Sequence, residues 1–461
     1  MGKKQNYSVV ILAAGLGTRM KIDYPKVFQP ILGVPMISEV VRAAAALNPA
    51  RILVVVGQHR RLFEEWRQKN PTGKKNIPLF LVDQKPQLGT AHALMMAEPY
   101  LKKSPGFLVL PGDVPLINKE ILSALVARMK NSRPVLAGVI LTAVMDNPTA
   151  YGRIIEKDNR IKIVEEKDAT AAERQIKEVN SGIYYFRNSP DFWEALHKIR
   201  NDNSKKEYYL TDIVEILSGE GKKIVREKIS ESEAVFGVNT FWDLARAERI
   251  KQLKIIQNHC LAGVRIINPE TVYIEAAVRI GPGTVIWPNN FLIGKTIIGR
   301  DCFLGPGNFI ADSRIGSGAE IRASFLYEVR CGQRVKIGPF AHLRPKTIIQ
   351  DEVRVGNFSE IKKSVVGRNT KISHLAYIGD AHLGKDINIG AGAITCNFDG
   401  QKKHPTYIGD GSFIGSNVNL VAPVRIGKKS LVGAGSTITR NVGDHTLAIA
   451  RQRQVNLARK K

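Results

Sequence analysis

Hydrophobic and polar positions along the chain follow two different rules, and the change falls just after residue 240. Before it, short apolar runs alternate with segments of helical spacing. Residues 8–12 (SVVIL), 51–56 (RILVVV), 78–82 (PLFLV) and 106–110 (GFLVL) read as strands, and 37–47 reads as a helix. The runs are apolar at nearly every position, not at every second one. That is the pattern of strands covered on both faces, and it predicts a Rossmann-like α/β unit with a parallel sheet between two layers of helices.

Residues 241–262 read as one amphipathic helix linking the two halves. Leu244, Ala247, Ile250, Leu253 and Ile256 supply its apolar stripe, and Arg246, Arg249, Lys251 and Lys254 the rest of its surface. From residue 280 the period becomes six. Ile280, Ile286, Leu292, Ile298, Leu304 and Ile310 form one unbroken register, and Ile408, Ile414, Leu420, Ile426, Val432 and Ile438 another. A six-residue aliphatic repeat is the mark of a parallel β-helix, in which each short strand buries one side chain and each coil stacks on the last. Three strands per coil at a spacing of about 4.8 Å turn residues 264–440 into about ten coils, roughly 45 Å long. Residues 395–408 interrupt the period with a polar, Gly- and Pro-containing stretch, which predicts a loop thrown out from one corner. The plan is thus an α/β domain over 1–240, a linker helix over 241–262, an all-β solenoid over 263–441 and a basic tail over 442–461.

Composition narrows the function classes. The chain has 461 residues, enough for two or three domains, and lacks any apolar run near the ~18 residues of a membrane span. The apolar stretch 9–14 is too short for a signal peptide and runs into a glycine motif, and Met1-Gly2-Lys3 lacks the Ser or Thr of a myristoylation signal. Cys260, Cys302, Cys331 and Cys396 stand far apart with no zinc spacing, as expected of reduced thiols in a cytoplasmic protein. The net charge of +26 favours anionic partners, yet no nucleic-acid-binding motif accompanies it. Phosphate-bearing substrates benefit from such a field. The tail, with Arg451, Arg453, Arg459, Lys460 and Lys461, is locally dense in charge.

Candidate chemistry begins at LAAGLGTRM, residues 12–20, directly after the first strand. Gly15 and Gly17 let backbone N–H groups approach phosphate oxygens, Arg19 adds a two-pronged donor, and Lys26 behind Pro25 adds a point charge. The motif lacks the third glycine of the dinucleotide fingerprint and the GK[ST] of a Walker loop. Asp113 closes the run FLVLPGD at the C-terminal edge of a strand, where open α/β sheets bind ligands, and a carboxylate there suits Mg²⁺ bridging phosphates. In the solenoid, Arg344, Lys362, His374, Tyr377 and Asn388 break an aliphatic grammar that needs no polar residues. The remaining histidines, His59, His92, His197, His259, His342, His382, His404 and His445, have no metal-ligand spacing and read as structural or surface residues.

LAAGLGTRM with Pro25-Lys26, Gln84-x-x-Gln87-Leu-Gly-Thr90, Gly112-Asp113-Val-Pro115, Asn180-Ser-Gly182, Glu207-Tyr-Tyr-Leu-Thr-Asp212 and Gly237-Val-Asn239 occur together in this order. So combined, the chain resembles the bifunctional N-acetylglucosamine-1-phosphate uridyltransferase/glucosamine-1-phosphate acetyltransferase family over nearly its whole length. The resemblance implies that Leu12, Ala13, Ala14, Gly15, Gln84, Gly89 and Thr90 hold the nucleotide of UTP. Arg19 and Lys26 would act catalytically on its phosphates, and Asp113 and Asn239 would ligate Mg²⁺. Gly152, Glu165, Asn180 and Asn239 would hold N-acetylglucosamine-1-phosphate. In the solenoid the resemblance makes His374 the general base that deprotonates the amine of glucosamine-1-phosphate, for which imidazole has a suitable ordinary pKa. Arg344 and Lys362 would grip the sugar phosphate, Tyr377 and Asn388 would position the sugar, and Ala391, Asn397, Phe398, Ser416, Ala434 and Arg451 would complete the site, most of them against acetyl-CoA. It further implies a left-handed solenoid and a homotrimer. Three positions depart from the family pattern: Leu16 for a frequent Lys, Pro111 for Tyr and Phe398 for Tyr.

Two other readings remain open from sequence. One is a nucleotidyltransferase with a single activity whose solenoid serves assembly or regulation, against which the polar set around His374 argues. The other is a non-catalytic scaffold, which the presence of Arg19, Lys26, Asp113 and Asn239 disfavours.

Overall fold

The structure is a computed structural model that describes residues 6–15, 17–70, 77–132, 135–158, 160–457 and 459. Leu16, the Met1-Gly2-Lys3 start and the last two lysines lie outside the described residues. The chain divides into two compact units, Met1–Lys251 and Gln252–Lys461.

The first unit is built on a mixed sheet. Its main path runs Ile224–Ile229, Gly138–Val144, Glu178–Arg187, Gly106–Pro111, Ser8–Leu12, Arg51–Val56, Leu79–Asp83. Ser8–Leu12 pairs in parallel with both Arg51–Val56 and Gly106–Pro111. Alternate residues of these strands enter two cores, one on each face. Val9, Ile11, Ile52, Val54, Leu108 and Leu110 pack on one side, and Val10, Leu53, Val55, Phe107 and Val109 on the other. Burial on both faces is why the runs are apolar throughout. The sheet is not wholly parallel, however. Glu178–Arg187 runs antiparallel to both of its neighbours, and Arg153–Lys157 forms a hairpin with Arg160–Val164. Apolar runs report burial but not direction, so the sequence pattern could not separate the two cases.

The second unit is a left-handed parallel β-helix. Three sheets of 11, 10 and 9 short parallel strands stand around one core, and along each sheet a strand pairs with the strand three further along the chain, except that Leu431–Val432 pairs with Leu447–Ala448, two further along. Every aliphatic of the two six-residue registers is buried except Ile280, which is half-buried and packs against the same core from an early coil. Across the coils the aliphatics line up residue by residue: Ile280 faces Ile298, Ile286 faces Leu304, and Leu304 faces Ile321. Corners between strands are turned largely by single non-glycine residues in the left-handed region, among them Asn289 (φ 59°), Asp301 (φ 53°), Leu375 (φ 49°) and Asn417 (φ 53°).

The helix Phe241–Leu261 begins with a reciprocal cap. The Asp243 carboxylate accepts from the Thr240 N–H at 2.9 Å, while Thr240 Oγ1 accepts from the Asp243 N–H at 3.1 Å. Its apolar residues do not form one straight stripe. Leu244 and Ala247 pack into the first unit, Ile256 into the solenoid core, and Leu253 is exposed. Steps of three residues fall short of a full helical turn, so a stripe spaced only by three winds around the axis and changes face. No helix among the described residues is long and apolar enough to cross a membrane.

Candidate active sites

A cleft of about 670 Å³ opens over the C-terminal ends of the central strands of the first unit. Its floor is the end of Ser8–Leu12, tied by the Ala13 N–H to the Val55 carbonyl and by the Gly112 N–H to the Leu12 carbonyl, each at 2.9 Å. Leu12, Ala13, Ala14, Gly15, Gln84, Gly89 and Thr90 all line it. Gln87 bonds through its amide to the Ala14 carbonyl and so fixes the glycine loop. It can reach because residue 57 is glycine, where a Cβ would lie 1.9 Å from the Gln87 amide nitrogen. Gly89 is equally required: its φ is 108°, and a Cβ there would meet the Tyr208 carbonyl oxygen at 2.6 Å. Tyr208 brackets this turn, donating to Leu88 and accepting from Ala91, while Thr90 Oγ1 accepts from the Leu210 N–H at 3.0 Å. The EYYLTD motif therefore braces the end of the cleft lined by Gln84, Gly89 and Thr90.

The catalytic and metal candidates of this unit meet at the same cleft. Lys26 Nζ lies 2.5 Å from Asp113 Oδ2, 2.8 Å from Asn239 Oδ1 and 3.2 Å from the Val238 carbonyl. Arg19 donates to Asn239 Oδ1 at 2.7 Å. The Val238 N–H to Asp113 carbonyl bond, 2.9 Å, holds the segments that carry Asp113 and Asn239 together. Two hard oxygens thus converge on one cation, the donor chemistry that Mg²⁺ takes. No cluster of three or more His, Cys, Asp or Glu capable of holding a metal occurs among the described residues. A divalent ion here would draw its other ligands from phosphates and water, as Mg²⁺ commonly does.

Asn180 and Glu165 line the wall opposite. Asn180 donates to the Tyr184 hydroxyl at 2.7 Å across an irregularity in the strand register. Burial pushes the Glu165 carboxyl above its usual range, opposed by the nearby Lys205 charge. Gly152 stands behind the wall, its carbonyl accepting from the Asn180 N–H at 2.9 Å. Pro111 lines the cleft, its ring against Gly182. Lys167, Tyr184, Lys205, Glu207 and Thr211 also line it and were not singled out from sequence. Glu207 and Thr211 lay inside a quoted motif; the two lysines belong to no motif and only the fold brings them in.

On the solenoid, the candidates gather around one corner. His374 ends Lys371–His374, and the left-handed Leu375 turns the chain into Tyr377–Gly379. Backbone bonds stack this corner coil on coil: Leu375 N–H to Asn357 carbonyl, Gly392 N–H to Leu375, Asn417 N–H to Ala391 and Gly435 N–H to Ser416. The Arg451 guanidinium closes the column on the Ala434 carbonyl at 2.7 Å. His374, Ala391, Ser416, Ala434 and Arg451 therefore form one line. Asn388 stands on the sheet leading into the corner, opposite Lys371. Arg344, Lys362 and Tyr377 lie on the sheet leading away, with Glu360 opposite Tyr377 and Lys362 opposite Gly379. Arg344 is paired with Glu360 at 2.7 Å. The Lys362 ammonium is held below its usual pKa, chiefly by Lys403, then by desolvation and Arg344. Three cations, one of them already paired with Glu360, thus stand close together at this corner. His374 is exposed, and its Nδ1 lies 2.5 Å from Asn357 Oδ1. With the amide oxygen accepting, Nδ1 carries the proton and Nε2 keeps its lone pair. Asn397 is buried on Asp380, at 2.6 Å, while Phe398 is exposed on the loop and bridges to Lys403. Asn357, Glu360 and Lys403 were missed from sequence.

Comparison with known proteins follows this division. The MobA-like NTP transferase domain matches residues 9–174, and the bacterial transferase hexapeptide (six repeats) matches residues 405–440. Curated relatives named Bifunctional protein GlmU align almost end to end. That of Geobacillus sp. (strain WCH70) is 48% identical, with 97% of this chain and 96% of the relative covered. The protein of Caldanaerobacter subterraneus subsp. tengcongensis has the same values. That of Carboxydothermus hydrogenoformans is 46% identical, covering 97% of this chain and 98% of its own.

Proposed function

The chain belongs to the GlmU family of bifunctional proteins, and from that premise we propose that its cleft carries the uridylyl transfer and its solenoid corner the acetyl transfer. The enzyme makes UDP-N-acetylglucosamine: it acetylates glucosamine-1-phosphate with acetyl-CoA and joins N-acetylglucosamine-1-phosphate to UTP, releasing pyrophosphate.

In the cleft, an oxygen of the sugar phosphate attacks the α-phosphorus of UTP in line, and the bond to the leaving pyrophosphate breaks. A phosphate is already a nucleophile at neutral pH, so no general base is needed. Positioning and charge neutralisation carry the rate. Arg19 and Lys26 supply fixed positive charge at the phosphates. Asp113 and Asn239 would hold Mg²⁺, which when bound adds positive charge beside the phosphate oxygens. The observation that carries this reading is the Lys26 ammonium held between the Asp113 and Asn239 oxygens at the rim of a nucleotide-sized cleft.

On the solenoid, the glucosamine-1-phosphate amine attacks the thioester carbonyl, its proton passes to His374 Nε2, and the C–S bond breaks to release the thiol. Asn357 orients the ring for this task. Arg344, Lys362 and Lys403 hold the sugar phosphate. We place the enzyme in the cytoplasm, a reading supported by four unpaired cysteines. We also assign it as a homotrimer through its solenoid, supported by a surface aromatic row in which the exposed Phe291 and Phe325 stack on the half-buried Phe309 at 6.3 and 6.2 Å. Light scattering at micromolar concentration checks the stoichiometry.

One assay tests the assignment of the sites. With glucosamine-1-phosphate, acetyl-CoA, UTP and Mg²⁺, both free thiol and pyrophosphate are followed. Asp113→Ala is expected to cut pyrophosphate release about 10²-fold or more with thiol release intact, and His374→Ala to do the reverse when N-acetylglucosamine-1-phosphate is supplied. Equal loss of both activities in either variant, or no pyrophosphate from the unaltered enzyme, overturns the reading.

A further inference from the structure

Gln84 sits at the end of Leu79–Asp83, is 3% exposed and lines the nucleotide cleft. Its side-chain nitrogen donates to the Gly89 carbonyl at 2.8 Å and lies 3.2 Å from Nδ1 of His92, on the helix Thr90–Leu101. An amide nitrogen can only donate, so His92 Nδ1 must accept and the ring proton sits on Nε2. Both amide hydrogens are thereby used. Gln84 Oε1 accepts nothing from the described residues and is the atom left to face the cleft. Rotating the amide by half a turn would set its oxygen against the Gly89 carbonyl, which can only accept, so a repulsive contact would replace that bond whichever tautomer His92 takes.

We infer that His92 is a positioning residue for base recognition: with Gly89 it fixes the Gln84 amide so that a hydrogen-bond acceptor alone is offered to the nucleobase. This rests on the reading of the cleft as the UTP site. A base presenting a ring N–H, as uracil does at N3, satisfies that oxygen. Cytosine carries a lone pair at the same place and meets it lone pair to lone pair. Burial keeps His92 below its ordinary pKa, with no neighbouring charge contributing, so the ring stays neutral and Nδ1 is able to accept. A site that offers one unpaired acceptor rejects an analogue lacking the matching donor strongly, because the buried oxygen is then left unsatisfied.

The test compares His92→Leu, which removes the acceptor at similar volume, with His92→Asn, whose amide oxygen can occupy the Nδ1 position. Pyrophosphate release is measured with UTP and with CTP. For His92→Leu, KM for UTP should rise about five- to tenfold with kcat nearly unchanged, and the UTP-over-CTP preference should fall about tenfold. His92→Asn should restore both. An unchanged UTP/CTP ratio in His92→Leu, or a His92→Asn variant as impaired as His92→Leu, overturns the inference and leaves the function reading standing. Failure of the unaltered enzyme to use UTP overturns both. Tryptophan fluorescence melting guards against misfolding, since Trp66 and Trp193 both lie in the first unit.

Discussion

Asp212 opens the helix Asp212–Gly219 beside two other carboxylates, and its own carboxyl is pushed up to about 6, first by burial and then by Glu215 and Glu165. In the unfolded chain it returns to an ordinary value near 3.9. Between those values the folded state binds more protons than the unfolded state. Stability therefore falls as pH rises from about 4 to about 6 and the cost is complete above that. Asp212→Asn removes the charge, so it should raise the urea midpoint at pH 7.5 and leave it nearly unchanged at pH 4. A gain of equal size at both pH values would show that the carboxylate is not the cause. This kind of fact is not legible in sequence, because it depends on which residues the fold brings beside one another. The same limit hid His92, read from spacing as a bland histidine, and Lys403, which only the loop at 398–403 carries up to Lys362. What sequence did carry was residue type at motif positions: Arg19, Lys26, Asp113 and Asn239 lie more than 200 residues apart at the extremes, yet they share one set of hydrogen bonds.

At the scale of elements, the six-residue period reported the solenoid because each short strand sends one side chain inward and its neighbour outward. Leu304 is fully buried, whereas Leu431, one residue before the buried Val432, is 45% exposed. Leu304→Ala should cost about 2–5 kcal/mol in denaturant unfolding, and Leu431→Ala about 0.5 kcal/mol or less. Comparable losses for the two would contradict the inward-outward assignment. The period says nothing of the corners, where ordinary residues such as Leu375 adopt a left-handed backbone that costs a non-glycine residue roughly 1–2 kcal/mol. Nor did apolar runs reveal the reversed strand Glu178–Arg187, since burial on both faces is the same for either direction. The helix Phe241–Leu261 was legible as a helix, but its straight stripe was not what formed, because spacing by three alone drifts around the axis.

For the whole molecule, the net charge of +26 acts on every substrate, because each of them carries phosphate. A field of this sign raises the local concentration of anions without touching the chemical step, so its effect belongs in binding and encounter, not in turnover. Raising ionic strength from about 0.1 to 1 M shortens the screening length from roughly 10 to 3 Å, which removes the long-range part and leaves direct contacts largely intact. KM for UTP and for glucosamine-1-phosphate should therefore both rise several-fold over that range, while kcat at saturation changes little. The contrast between sites sharpens the test. At the proposed anion site on the solenoid corner Lys362 already feels the repulsion of Lys403 and Arg344, although Arg344 is itself paired with Glu360, so that site depends on charges that salt can screen. In the cleft, Lys26 is neutralised by Asp113 before any substrate arrives. The salt dependence of KM for glucosamine-1-phosphate should thus be the steeper of the two. If the two dependences are equal, the local clusters are not what the anions sense, and the uniform field of the chain is sufficient to account for both.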